Sequence, residues 1–254
     1  GTINVLEATR MLEVSRVVHT STSEVYGTAR SVPIHEDHPL QAQSPYAASK
    51  VGADQMARAY HLSFGLPVVT LRPFNTFGPR QSARAVIPAT IAQCLSGGRV
   101  GLGNLSPTRD FNYIADTVSG FVLAAESKKA VGKTINIGSG RELSIRDLAT
   151  TIAQLVGREI NIVAEEERIR PETSEVDRLL ADNTMAREIL GWEPTVSLED
   201  GLKQKVGAFP VAMAKVGLDS FFHYGHISPA IGHGHAIGFA GANSVFHRPK
   251  GHRF

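Results

Sequence analysis

The chain has 254 residues, enough for one large domain or a large domain with a smaller lobe. Its 42% hydrophobic and 20% charged content suits a protein with a substantial core, and a formal charge of +2 gives no reason to expect nucleic acid or a membrane surface as partner. The single cysteine excludes an intramolecular disulfide framework and fits a reducing cytoplasm, and no apolar run approaches the roughly 20 residues of a membrane span.

Residues 1–13 read as an amphipathic helix, already under way at Gly1-Thr2 with no initiator Met or signal peptide before it. The expectation is therefore a fragment. "SRVVHTST" follows as a short buried strand of the parallel type, because Val17 and Val18 are adjacent. "SPYAASKVGADQMARAYHLSFG" predicts a helix with Ser44 as N-cap, Pro45 at the first helical position and Gly65 closing the C-terminus. "LPVVTLRPFN" is a second strand, ended by Pro73. "SARAVIPATIAQCLSGG" reads as a helix bent or restarted by Pro88, with Cys94 packed inside it. "TRDFNYIADTVSGFVLAAES" passes from strand to helix, and "KTINIGSG" is another strand. "LSIRDLATTIAQLVG" carries one apolar face, with Ser144 and Asp147 as a capping pair. "DNTMAREILGW" and "SLEDGLKQ", the latter capped by Ser197, close the patterned region. Strands alternating with helices predict parallel β-α-β units and an α/β fold.

From Lys205 onward the character changes: the remainder is Gly-rich and holds six of the ten histidines. His233 and His235 in "GHGH" have no Cys or acidic residues nearby, so an unstructured or foreign tail is expected there rather than a metal site.

Chemistry concentrates in two stretches. Tyr46 and Lys50 form Tyr-x-x-x-Lys, which places them on one helix face. A neighbouring ammonium stabilises a phenolate, so such a tyrosine can take a proton from a sugar hydroxyl while hydride leaves the same carbon. In "HTSTSEVYG", four hydroxyl residues and Glu24 follow the valine pair, at the mouth of the first strand. A carboxylate there is either solvated or kept for chemistry, since burying it unpaired is costly.

"STSEVYG", "SPYAASK", "RPFNTFGPRQ" and "RDFNYIADT", in this order, resemble the extended short-chain dehydrogenase/reductase family, the NAD-dependent epimerases and dehydratases of nucleotide sugars. The resemblance runs from Gly1 to about Gln204. It implies a Rossmann-type doubly wound parallel sheet with a small C-terminal α+β substrate lobe. Residues 1–80 are then the C-terminal part of the NAD(P)-binding domain, 81–204 the substrate lobe with some elements returning to that domain, and 205–254 the atypical tail. It also implies a nucleotide-sugar substrate, a cytoplasmic enzyme and a homodimer formed through the Tyr46 helix and its neighbour.

By that resemblance Thr22 matches the hydroxyl partner of the sugar's 4-oxygen. Tyr46 matches the acid/base, and Lys50 holds the nicotinamide ribose. Ser21 and Pro73 match positions lining the nicotinamide pocket, and Asn75 a substrate-contacting asparagine. Arg109 and Arg170 match arginines that bind the nucleotide diphosphate, where a guanidinium fork suits phosphate oxygens. Glu24 separates dehydration from epimerisation, because a 4,6-dehydratase must also remove the proton at the fifth carbon. Ser23 stands where many dTDP-glucose dehydratases carry an acidic Asp, so Glu24 is expected to serve as both base and acid. The wider pattern looks most like dehydratases of nucleotide-linked N-acetylglucosamine in nonulosonic acid pathways. A 4-epimerase of the same family, or a non-catalytic fragment binding nucleotide sugar at most, are the alternatives.

The family's phosphate-binding glycine loop and the residue selecting NAD or NADP do not occur here. "GSGREL" at Gly138 has Leu143 where a third glycine should stand, and in the family it belongs to the substrate lobe. NAD is the implied cofactor, NADP is not excluded, and roughly the first third of the domain is expected to be missing.

Overall fold

The computed structural model describes residues 1–216. The first helix, α1 (Thr2–Met11), leads into β1 (Val17–Thr20) and a 3₁₀ turn at Ser23–Tyr26. The long helix α2 (Pro45–Phe64) follows, then β2 (Val68–Pro73) and β3 (Asn75–Phe77). Next come α3 (Val86–Ser96), β4 (Arg99–Leu102), β5 (Thr108–Tyr113) and α4 (Ile114–Glu126). The remainder is β6 (Thr134–Ile137), β7 (Glu142–Ser144), α5 (Ile145–Val156), β8 (Asn161–Ala164) and α6 (Leu198–Val216).

The sheet that positions the candidate site has the order β1-β2-β6, all parallel, with Val17 opposite Val68 and Thr70 opposite Thr134. Parallel neighbours require crossovers, supplied here by α2 and by the excursion from β3 to α4. The sheet is covered on both faces. Leu6, Ala57, Tyr60 and Leu66 pack with Val68 on the α1/α2 side. Val69, Leu71, Ile135, Ile137, Ala124 and Trp192 form the core on the α4 side. Each fully buried aliphatic side chain contributes about 1.5–3 kcal/mol, so these two layers hold the sheet. β1 is half-buried rather than buried as expected, because among the described residues it pairs only with β2.

A second assembly joins β3 to β5 in parallel and β5 to antiparallel β7, and β4 pairs with β8. Its core packs Phe77, Ile91, Cys94, Phe111, Leu148 and Ile152. Burial pushes the Cys94 thiol above its ordinary pKa, in keeping with a packing role.

Local signals hold where capping chemistry is explicit. Ser44 Oγ accepts from the Ala47 amide at 3.1 Å, and Gly65 closes α2 in the left-handed conformation. Ser144 Oγ accepts from the Asp147 amide at 3.0 Å. Pro88 restarts rather than bends its helix: α3 begins at Val86, so Pro88 lies in a first turn that needs no intrahelical N–H. The expected boundary at Lys205 is crossed by α6, in which Lys205 is buried and donates to the Gly78 carbonyl at 2.8 Å. The Gly/His-rich tail beyond Val216, including His233 and His235, lies outside the described residues. Among the described residues no helix is long and apolar enough to cross a membrane, and no three His, Cys, Asp or Glu side chains cluster as metal ligands.

Candidate active site

The C-terminal end of β1 delivers Ser21 and Thr22, and the chain then tightens into the 3₁₀ turn that carries Glu24. Thr22 caps this turn, its Oγ1 accepting from the Glu24 amide at 3.3 Å. A hydroxyl that accepts in this way keeps its own proton free to donate. Gly27 ends the turn at φ +65, and a Cβ there would meet the Gln41 carbonyl at 2.3 Å, so only glycine lets the chain leave toward α2.

α2 brings its first turns to the same place. Lys50 Nζ donates to the Thr20 carbonyl at 3.0 Å, tying the helix to the end of β1, and lies 5.9 Å from the Tyr46 ring centroid. Tyr46 is 54% exposed. Glu24, Ser44, Tyr46, Arg170 and Ser174 together line a cleft of about 410 Å³. Residues distant in sequence thus share one cavity, with a carboxylate and a phenol facing it.

The other expected site residues are not among those lining this cleft. Ser21 is buried, and its Oγ has no hydrogen-bond partner of acceptable geometry although it lies near Asp54. Asn75 Oδ1 is likewise shielded without a partner, beside the half-buried Pro73 that ends β2. Ser23 is 3% exposed and does not line the cleft. The 3₁₀ turn buries Ser23 while Glu24 reaches the cavity.

Arg109 is 8% exposed. Its Nη1 donates to the Thr108 carbonyl at 2.9 Å and its Nη2 to Glu175 Oε1 at 3.3 Å. Burial pulls its pKa down; the charges of Glu24 and Glu175 oppose this and that of Arg170 adds to it. Arg109, Arg170, Glu24 and Glu175 therefore form one electrostatic cluster. Glu175 escaped the sequence reading, since nothing in "RPETSEVD" distinguishes its three acids. Only the backbone pairing of this segment with β5 selects one of them.

A buried polar network beneath the cleft was also missed. Arg72 on β2 donates through Nε to Asp54 Oδ2 at 3.0 Å and through Nη1 to the Tyr26 hydroxyl at 2.9 Å. Tyr26 donates to Asn136 Oδ1 at 2.7 Å, and His19 Nε2 lies 3.0 Å from Asp54 Oδ1. Burial pushes the Asp54 carboxyl up, but the hydrogen bond from His19, the nearby Ser21 hydroxyl and the charge of Arg72 prevail and hold it below the ordinary value. Burial drives the Tyr26 phenol up to about 12 despite the charge of Arg72. Asp54 follows Lys50 by four residues on α2, a spacing that places both on one helix face and was the available signal.

The glycine segment after β6 is filled internally. The Asp110 carboxylate accepts from the amides of Ser139, Gly140 and Ala181 at 2.7, 2.9 and 3.1 Å. Its donors are thus engaged by a side chain of the same chain, which agrees with placing "GSGREL" outside any dinucleotide loop.

The α/β fold, with a parallel sheet covered by helices on both faces, defines a Rossmann-type protein. The family model described as GDP-mannose 4,6 dehydratase matches residues 1–205, and the chain belongs to this NAD-dependent epimerase/dehydratase family. It is 38% identical over 214 residues to a UDP-glucose 4-epimerase of Mycolicibacterium smegmatis, covering 82% of this chain and 67% of that one. It is 35% identical over 207 residues to a dTDP-glucose 4,6-dehydratase of Streptomyces griseus, covering 81% and 62%. The structure of UDP-glucuronic acid 4-epimerase from Bacillus cereus, in complex with UDP-glucuronic acid and NAD, superposes with a TM-score of 0.77 at 32% identity, covering 83% of this chain and 66% of that one. The chain thus spans about two thirds of the length of these relatives.

Proposed function

We propose that the protein containing this chain is an NAD-dependent nucleotide-sugar 4,6-dehydratase. The observation that carries this reading is the shared cleft of Glu24 and Tyr46. Epimerisation at the fourth carbon needs one acid/base, whereas dehydration needs a second base for the fifth carbon. Residues 1–80 act as the nicotinamide-side part of the dinucleotide domain, and 81–204 supply most of the substrate lobe.

The residues present fit the nicotinamide end of the cofactor: Asn75 Oδ1 is a buried polar atom lacking a partner, at a position matched to the substrate, and the buried Ser21 hydroxyl, close to Asp54, stands at a position matched to the cofactor pocket. Ser21, Tyr46, Lys50 and Pro73 would hold that end. NAD, when bound, supplies the hydride acceptor that makes oxidation of the sugar reversible within one cycle.

Tyr46 takes the proton of the 4-hydroxyl, with Lys50 held beside it by its hydrogen bond to the Thr20 carbonyl. Thr22 donates its free proton to the 4-oxygen. The resulting ketone acidifies the fifth carbon, and Glu24 removes that proton. With Ser23 turned inward, Glu24 passes that same proton to the departing 6-hydroxyl, which leaves as water; a solvent proton at the fifth carbon, together with the hydride taken from the fourth carbon, which would return to the sixth, completes the 4-keto-6-deoxy product. Arg109 and Arg170 bind the diphosphate. Within this class the proposed substrate is a UDP- or GDP-linked N-acetylhexosamine of bacterial surface-glycan biosynthesis, on the overall similarity of the four motifs. A homodimer through α1 and α2 is supported by their exposed Ile3, Val5, Leu62 and Phe64.

The 38% identity to a UDP-glucose 4-epimerase favours a second reading, 4-epimerisation through Tyr46 alone. Incubating the protein, expressed from its natural reading frame, with UDP- and GDP-linked hexoses and N-acetylhexosamines separates the two. A 4-keto-6-deoxy product is expected; formation of the 4-epimer alone establishes the second reading instead.

A further inference from the structure

The ion pair between Arg109 and Glu175 is held from both sides. Arg109 sits on β5, and the segment carrying Glu175 runs beside the start of that strand: the Thr108 amide donates to the Asp177 carbonyl at 2.9 Å and the Leu179 amide to the Thr108 carbonyl at 3.2 Å. Gln43 Nε2 donates to the Glu175 carbonyl at 2.9 Å, and Thr28 Oγ1 donates to it at 3.4 Å. The backbone of Glu175 is therefore fixed to two walls while its carboxylate reaches Arg109.

That contact is itself poor. It is a single 3.3 Å approach, not a bidentate fork, between side chains only 9% and 13% exposed. Arg109 directs its other terminal nitrogen to its own neighbour's carbonyl, so no donor pair is committed to Glu175. A guanidinium in such shelter gains more from a ligand offering two anionic oxygens in fork geometry. The four charges of the cluster, two arginines and two glutamates, also sum to zero, so a weakly charged anion finds no net attraction.

Resting on the reading of Arg109 as the diphosphate arginine, we propose that Glu175 is an internal anion occupying the phosphate position of Arg109, so that the cleft admits diphosphates and rejects ligands too weakly charged to displace it. Glu175 is then a specificity-determining residue: it raises the charge a ligand must bring, and it keeps Arg109 from pairing with Glu24 while the cleft is empty.

The test is calorimetric titration of the chain with inorganic pyrophosphate and, separately, with orthophosphate, in metal-free buffer. If the Glu175-paired form holds nine-tenths of the population, Glu175→Gln binds pyrophosphate about 10-fold more tightly than the unmodified chain. Its preference for pyrophosphate over orthophosphate also narrows. Glu175→Asp keeps the charge but shortens the reach, and tightens binding to a lesser degree; it carries the test if the Gln variant does not fold. Arg109→Gln abolishes pyrophosphate binding. If Glu175→Gln and Glu175→Asp bind pyrophosphate no more tightly than the unmodified chain while Arg109→Gln abolishes binding, the inference fails and the diphosphate reading stands. If Arg109→Gln binds pyrophosphate unchanged, or the unmodified chain binds none, both fail.

Discussion

Replacing Glu24 with Gln is expected to leave oxidation at the fourth carbon intact and to suppress the 4-keto-6-deoxy product by about 10²- to 10⁴-fold, the usual worth of a positioned general base. The amide keeps the side chain's length and its place beside Tyr46, so the cleft of about 410 Å³ is preserved. It also removes one of the two carboxylates facing Arg109, so substrate affinity rises or holds while turnover falls. Rapid quenching of the variant with nucleotide sugar should therefore yield up to one equivalent of the 4-keto sugar with its 6-hydroxyl still in place. A variant that makes 6-deoxy product at near-normal rate shows that Glu24 is not the base.

The second large effect lies below the cleft. Arg72→Met removes the cation that Asp54, Tyr26 and the Glu36 carbonyl share, at 3.0, 2.9 and 3.2 Å. Asp54 is then a buried carboxylate with His19 as its main remaining partner, and breaking such a pair costs about 3–5 kcal/mol. The midpoint of urea unfolding should fall without a change in its slope. The double variant Arg72→Met, Asp54→Leu should lose less than the single one, because it leaves no unpaired charge. Catalysis is expected to suffer in the same variant. Tyr26 lies two residues from Glu24, Asp54 lies one helical turn from Lys50, and Arg72 precedes Pro73, so the network ties together the three elements that carry the site. The sign of its pH dependence follows from Asp54. A folded-state pKa held below the unfolded value of 3.8 stabilises the fold fully above that value. This contribution is lost as pH falls through the lower folded pKa. A loss of less than about 1 kcal/mol for Arg72→Met would show the network to be incidental.

Where a residue's local chemistry determines its role, the sequence was legible. Ser44, Pro45 and Gly65 mark α2 because capping and the left-handed C-terminus depend on neighbours within four residues. Tyr46 and Lys50 share a face by helical periodicity alone. The parallel sheet followed from apolar runs alternating with amphipathic stretches. Where the outcome depends on what the chain meets later, legibility ended. The short strands β3, β4, β7 and β8 carry too few residues to show an alternation, and each exists because a distant partner pairs with it. Ser23 and Glu24 are adjacent, and only the 3₁₀ turn decides that one is buried and the other lines the cleft. Glu175 acquires its partner through the pairing of residues 177–179 with Thr108, a contact spanning some 70 positions. Asp54 acquires its partners only through Arg72 on β2 and His19 on β1, which its own helix does not reveal.

The account turns on one proton, the one Glu24 takes from the fifth carbon of the sugar. Running the reaction in deuterium oxide and locating the label in the product measures this transfer directly. One deuterium at the fifth carbon of a 4-keto-6-deoxy sugar is the expected result, because the proton removed by Glu24 departs in the water that leaves and the fifth carbon is reprotonated from solvent. A product bearing no deuterium at the fifth carbon and inverted only at the fourth would contradict it.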